Sequence, residues 1–184
     1  MNERILLYET YKNVNRLGIG LRWKPQTDAN QRIDLDISAF LLDSNQSMPS
    51  PHHIIFYHNK KSVDESILHL GDNRSGEERR DDEIILVSVD DVQSDIEEIA
   101  VVITIYNEGV TVENTSFMPV SGAFVRLFDY QTNKEILRYD INEHYNDFNG
   151  LEFGKLMRTS EGWVFEITGT GSKKGLEGYI DQFA

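Results

Sequence analysis

The 184-residue chain carries a net charge of −13 and has an isoelectric point near 4.7. It is long enough for one domain with an apolar core and too acidic to neutralise a phosphate backbone, which excludes nucleic acid as a partner. The absence of cysteine excludes disulfides, thiolate metal sites and cysteine nucleophiles.

No run of about 18 apolar residues exists to span a membrane, and the first residues lack the apolar core of a signal peptide. A cytoplasmic protein without an integral membrane segment is expected. Residues 1–12 hold a short apolar run, Ile5 to Leu7, read as a first edge strand. In residues 17–23, Leu17, Ile19, Leu21 and Trp23 alternate with Gly18, Gly20 and Arg22. That period of two predicts a half-buried strand whose other face is bare. A polar turn over 25–31 follows.

Ile33, Leu35 and Ile37 alternate with Asp34, Asp36 and Ser38 before an apolar run over 39–42. Successive strand residues point to opposite faces, so Asp34 and Asp36 share a face roughly 7 Å apart along the strand. Two carboxylates about 5 Å apart repel by roughly 3 kcal/mol at an effective dielectric near 20, and a cation would relieve this. A solvent-facing strand that merely tolerates Asp gives the same pattern, although Asp is depleted in strands.

Residues 43–51 form a turn and 54–57 a short strand. His52, His53, His58 and His69 match no zinc spacing and are read as loop and strand-end residues. Ile67, Leu68 and Leu70 lead into the acidic stretch 71–83, and residues 84–89 lead out of it. This stretch holds six carboxylates, three guanidinium groups and no aliphatic side chain, so it is a loop between two apolar strands. Its oxygens, folded back at the glycines, could form a nest of hard ligands that suits Ca2+ better than a softer metal. A solvated charged loop accounts for the same composition.

Val92, Ile96 and Ile99 stand at near-helical spacing and predict a short helix over 90–98. Residues 100–106 read as a central strand covered on both faces, and 107–119 as a polar loop anchored by Phe117. Strands over 123–130 and 135–141 flank a turn at 131–134, and a second polar loop covers 142–150. Residues 153–158 and 163–168 form a hairpin. The glycine-rich segment 169–175 lacks the spacing of a phosphate-binding loop and reads as a linker to a terminal helix over 176–183. Many short strands and one or two short helices predict a mainly β chain: a β-sandwich of mostly antiparallel strands, in a single domain over 1–184.

The segments Asp34-Leu-Asp-Ile-Ser-Ala-Phe-Leu-Leu42, Gly71-Asp-Asn-Arg-Ser-Gly-Glu77, Asp81-Asp-Glu83, Ser121-Gly-Ala-Phe-Val-Arg-Leu127 and Arg138-Tyr-Asp-Ile141 resemble the TerD family of bacterial tellurium-resistance and general-stress proteins. Phe153-Gly-Lys-Leu156, Gly162-Trp-Val-Phe165 and Gly169-Thr-Gly171 extend the resemblance from about residue 14 to the C-terminus. It implies a calcium-binding β-sandwich with two neighbouring Ca2+ ions between the Asp-x-Asp strand and the acidic loop, of which one or two are expected in this chain. By that resemblance Asp34 and Asp36 are the strand carboxylates. Asp72, Asn73, Glu77, Asp82 and Glu83 are the loop's oxygen donors, and Gly71 and Arg74 offer backbone carbonyls. Asp81 matches as well, leaving open which of Asp81 and Asp82 points inward.

Glu78, Arg79 and Arg80 stand where the family usually has Gly-Asp-Gly, and Thr104 to Asn107 reads Thr-Ile-Tyr-Asn in place of Thr-Ile-His-Asp. The resulting expectation is a non-enzymatic, calcium-binding interaction module whose partners are calcium and other proteins of a tellurite-resistance or stress system. Two alternatives use the same acidic cluster: a metal-dependent hydrolase, and a C2-like module docking on membranes through calcium.

Overall fold

The computed structural model describes residues 4–6, 14–24, 33–72, 81–107, 111–118 and 120–184. It is the expected β-sandwich. Its strands are β1 (Arg4–Leu6), β2 (Arg16–Lys24), β3 (Ile33–Leu42), β4 (Ile54–Ile55), β5 (Ile67–Asp72), β6 (Glu83–Ser88), β7 (Glu98–Asn107), β8 (Ser121–Asp129), β9 (Lys134–Ile141), β10 (Gly150–Thr159) and β11 (Gly162–Ser172), followed by helix α1 (Gly175–Phe183). One sheet has the order β1-β11-β10-β7-β3-β4 and the other β5-β6-β2-β8-β9. Every pairing is antiparallel.

The alternation read in the sequence decides which side chains fill the space between the sheets. Leu17, Ile19 and Leu21 of β2 meet Leu35, Ile37, Ala39 and Leu41 of β3 there, with Ile85, Val87, Val125, Leu127 and Phe153. Phe40 and Leu42 point the other way and form a second cluster with Ala100, Val102, Tyr179 and Phe183, so α1 covers part of the outer face of the larger sheet. The central strand β7 is therefore covered on both faces, as its continuous apolar run requires. Phe117 is buried as the anchor of its loop.

Three expectations are corrected. No helix forms over 90–98: a 3-10 turn, Val89–Asp91, is followed by irregular chain. Val92 and Ile96 are buried because the loop is pinned. Arg158 donates to the carbonyls of Val92, Gln93 and Ile96, and Gln93 N donates to Asp64 Oδ2 at 3.0 Å. The segment 169–175 is not a linker, because β11 runs on through Gly169 and Gly171 to pair with Leu151 and Gly150. Gly169 has φ +57, and a side chain there would collide with the Tyr139 hydroxyl. The strand expected over 54–57 is reduced to Ile54–Ile55, a shortening that shapes the candidate site.

Asp64 ties the β4–β5 connection to that pinned loop. Burial pushes its carboxyl up, but donation from Ser62 Oγ, Ser66 Oγ, Ser66 N and Gln93 N outweighs burial and holds it below the ordinary value. Asp64→Ala is expected to lose about 2 kcal/mol in urea denaturation at pH 7. A carboxyl depressed in the folded state stabilises above its unfolded value near 4, and that contribution fades as pH falls through the folded value. The difference between wild type and Asp64→Ala is therefore expected to shrink when measured at pH 3.

Candidate metal centre

Strand β3 is hydrogen-bonded along its whole length to β7 on one side. On the other side β4 reaches only Ala39 and Phe40. The backbone donors of the first half of β3 are thus left to find other acceptors, and they find carboxylates. Leu35 N donates to Asp34 Oδ1 at 3.1 Å, and Ile37 N donates to Glu83 Oε2 at 2.8 Å. Glu83 opens β6 in the opposite sheet, so this bond joins the two layers across the edge of the sandwich.

Asp34 and Asp36 lie on the outer face of β3, in line with Phe40 and Leu42, because Leu35 and Ile37 take the inner face. Asp34 pairs in register with Tyr106, and Asp36 with Thr104. Asp36 is partly buried. Its carboxyl is pushed from 3.8 up to about 7, first by burial and then by the charges of Glu83 and Asp34. The same charge reaches Tyr57, whose hydroxyl is raised by burial, by Asp36 and by Tyr106. Asp34, Asp36 and Glu83 therefore share one field at the open edge of β3.

His69, read in the sequence as a loop or strand-end residue, is instead a buried residue within β5. It sits on β5 with its side chain only 1% exposed, its Nε2 3.7 Å from Glu83 Oε2. The signal was present: His69 follows the buried Ile67 by two residues, and a period of two puts both on the inner face. The other histidines of that region, His52, His53 and His58, lie in turns, as expected.

The consecutive acids at the end of the acidic stretch have separate tasks. Asp81 is 4% exposed and lies on the outer face of the five-stranded sheet, over Gly20, where a Cβ would meet its Oδ2 at 2.4 Å. Arg126 Nε and Nη2 donate to it at 2.8 to 3.1 Å, and the guanidinium also stacks on Phe128, 4.2 Å from the ring centre. Asp82 Oδ2 accepts from Trp23 N at 3.0 Å. Of the three, Glu83 is the one that faces the Asp34 and Asp36 strand. The bare strand face formed by Gly18 and Gly20 is occupied by Phe128 and Asp81.

The backbone of Asp72 ends β5 opposite Glu83, and Gly71 N donates to His69 Nδ1 at 3.0 Å. Asn73, Arg74 and Glu77 lie outside the described residues, as do Glu78, Arg79 and Arg80. Among the described residues no group of three or more His, Asp or Glu side chains is placed to hold a metal ion. Asp34, Asp36 and Glu83 stand near one another at the edge of the sandwich, and Asp72 and Glu83 lie opposite each other where the acidic stretch starts and ends. Their carboxylate oxygens are hard donors, of the kind that a divalent cation such as Ca2+ prefers.

This is a β-sandwich whose distinguishing feature is a carboxylate-lined open edge between its two sheets. The TerD domain model matches residues 2–183, and the chain belongs to the TerD family. It is 36% identical over 179 residues to the tellurium resistance protein TerD of an Alcaligenes species, covering 97% of this chain and 92% of that one. It is 34% identical over 175 residues to general stress protein 16U of Bacillus subtilis, covering 95% and 90%. The crystal structure of a homologue of telluride resistance protein (TerD) from Streptomyces coelicolor superposes with a TM-score of 0.73 at 20% identity. That superposition covers 91% of this chain and 96% of the other. No helix among the described residues is long and apolar enough to cross a membrane.

A carboxyl that titrates near 7 when folded and near 3.8 when unfolded makes the folded state the stronger proton binder between those values. Stability of the metal-free protein then falls as pH rises from about 4 to 7 and levels off above. Asp36→Asn is expected to remove that slope and to gain up to about 4 kcal/mol at pH 7.5. Urea denaturation in chelator at pH 5 and 7.5 measures both, and a variant no more stable than wild type at pH 7.5 contradicts the assignment.

Proposed function

We propose that this protein is a non-catalytic calcium-binding module of a bacterial tellurite-resistance or stress response, acting in the cytoplasm through calcium-dependent contact with other proteins of that system. The observation that carries the reading is the crowding of Asp34, Asp36 and Glu83, which holds Asp36 up near 7. Such a carboxylate is poorly solvated and repelled by its neighbours, and a divalent cation reverses both effects. The donors fit the ion, being partly preorganised oxygens with an acidic segment tethered at both ends next to them.

In this reading Asp34, Asp36 and Glu83 hold the ion from the wall of the sandwich. Asp72, Asn73, Glu77 and Asp82, with the carbonyls of Gly71 and Arg74, supply the remaining oxygens from the acidic stretch. Bound calcium neutralises the cluster and links the two sheets at the edge that β4 leaves open. The names of the Alcaligenes and Bacillus relatives support placing the module in tellurium resistance or general stress.

Calcium at one hundred times its dissociation constant is expected to stabilise the fold by about 2.7 kcal/mol, read as a rise in melting temperature that a chelator reverses. Magnesium is expected to act weakly, since it demands a smaller octahedral site. Asp36→Asn is expected to lose the calcium-induced rise while remaining folded. A wild-type protein that shows neither calcium by elemental analysis nor any shift with added calcium refutes the proposal.

A further inference from the structure

The acidic cluster rests against a buried imidazole that none of the preceding chemistry uses. Strand β5 pairs His69 with Ile85 and Asp72 with Glu83, so between those pairs it carries one residue more than β6. The extra residue makes a bulge, and Gly71 takes φ +83 within it, a conformation that glycine adopts without strain. The bulge turns the Gly71 N–H back onto His69 Nδ1 at 3.0 Å. An Nδ1 that accepts a hydrogen bond carries no proton, so the ring is the neutral tautomer with its hydrogen on Nε2.

That Nε2–H is buried and has no hydrogen-bond partner among the described residues. Buried donors in folded proteins are paired as a rule, and an acceptor, Glu83 Oε2, lies 3.7 Å away. A side-chain shift of under about 1 Å makes the bond. The same oxygen already accepts from Ile37 N at 2.8 Å. A line of contacts therefore runs from the first residue of the acidic stretch, through the imidazole, to the carboxylate that joins the sheets.

We propose that His69 is a positioning residue of the acidic site, its imidazole fixed by the Gly71 N–H so that Nε2–H holds the Glu83 carboxylate against β3. The bulge and the cross-sheet carboxylate are thereby set as one unit. Partners of this kind, one step removed from an ion, fix ligand orientation and change metal affinity by 10- to 100-fold when lost. The inference deepens the calcium reading and rests on it for that consequence alone.

Two measurements test it. In nitrogen-15 spectra of the wild-type ring at neutral pH, Nδ1 is expected to be the unprotonated acceptor and Nε2 the protonated nitrogen, with and without calcium; the opposite tautomer overturns the proposal. His69→Gln keeps a donor near the Nε2 position and His69→Leu removes it at similar volume. The Ile37 amide resonance, which reads its bond to Glu83 without any metal, is expected to move in His69→Leu and stay in His69→Gln. Calcium affinity is expected to fall 10- to 100-fold in His69→Leu and to stay within about threefold of wild type in His69→Gln.

An Ile37 amide unchanged in His69→Leu, or equal affinity losses that follow melting temperature in both variants, overturns it. If wild type binds no calcium, the calcium reading fails while the Ile37 resonance still decides the positioning role. If His69→Leu does not fold, the wild-type ring spectra and His69→Gln decide it.

Discussion

The site depends on a shortage of hydrogen-bond acceptors along one strand edge. A β-strand presents its backbone donors whether or not a neighbour exists, and leaving them unpaired in a partly buried place costs about as much as a lost hydrogen bond. β4 satisfies β3 only at Ala39 and Phe40. Ahead of that point the donors of Leu35 and Ile37 are met by the carboxylates of Asp34 and Glu83. Those bonds draw acidic groups to a place where Asp36 already stands. The crowding of carboxylates at this edge thus follows from the shortness of a neighbouring strand.

The arrangement on the five-stranded sheet keeps the charge of Asp81 from adding to that crowding. Gly20 leaves room above β2 for Asp81, and Arg126, steadied by the Phe128 ring, meets it with a two-pronged ion pair. Asp82 is taken up by the Trp23 amide. Three consecutive acids are thereby sent to three different surroundings. Glu83 alone reaches the other sheet, because strand alternation sends it inward with Ile85 and Val87.

The fold was legible wherever one face of a strand is apolar and the other polar or bare, as in β2 and β3. It was misread where another force sets the pattern. Val92 and Ile96 are buried because Arg158 and Asp64 hold their loop, not because they line a helix, and Gly169 and Gly171 are strand residues kept small by Tyr139 and Phe148. At the site, Asp34 and Asp36 could be read from alternation alone, whereas the part played by Glu83 came from the family resemblance. The separate roles of Asp81 and Asp82 depend on Gly20 and Arg126, which are distant in sequence. The bulge at Gly71 and the tautomer that it imposes on His69 leave no periodic trace.

The two-residue length of β4 has a further consequence for solubility. An exposed strand edge is an invitation for a foreign strand to add on, and natural sheets guard such edges with charge or with very short strands. Here both guards act on the same strand, because the carboxylates of Asp34 and Glu83 occupy the very donors that an incoming strand would need. The carboxylates that crowd this edge therefore also turn away another polypeptide, and a short β4 does not leave a template for aggregation beside it.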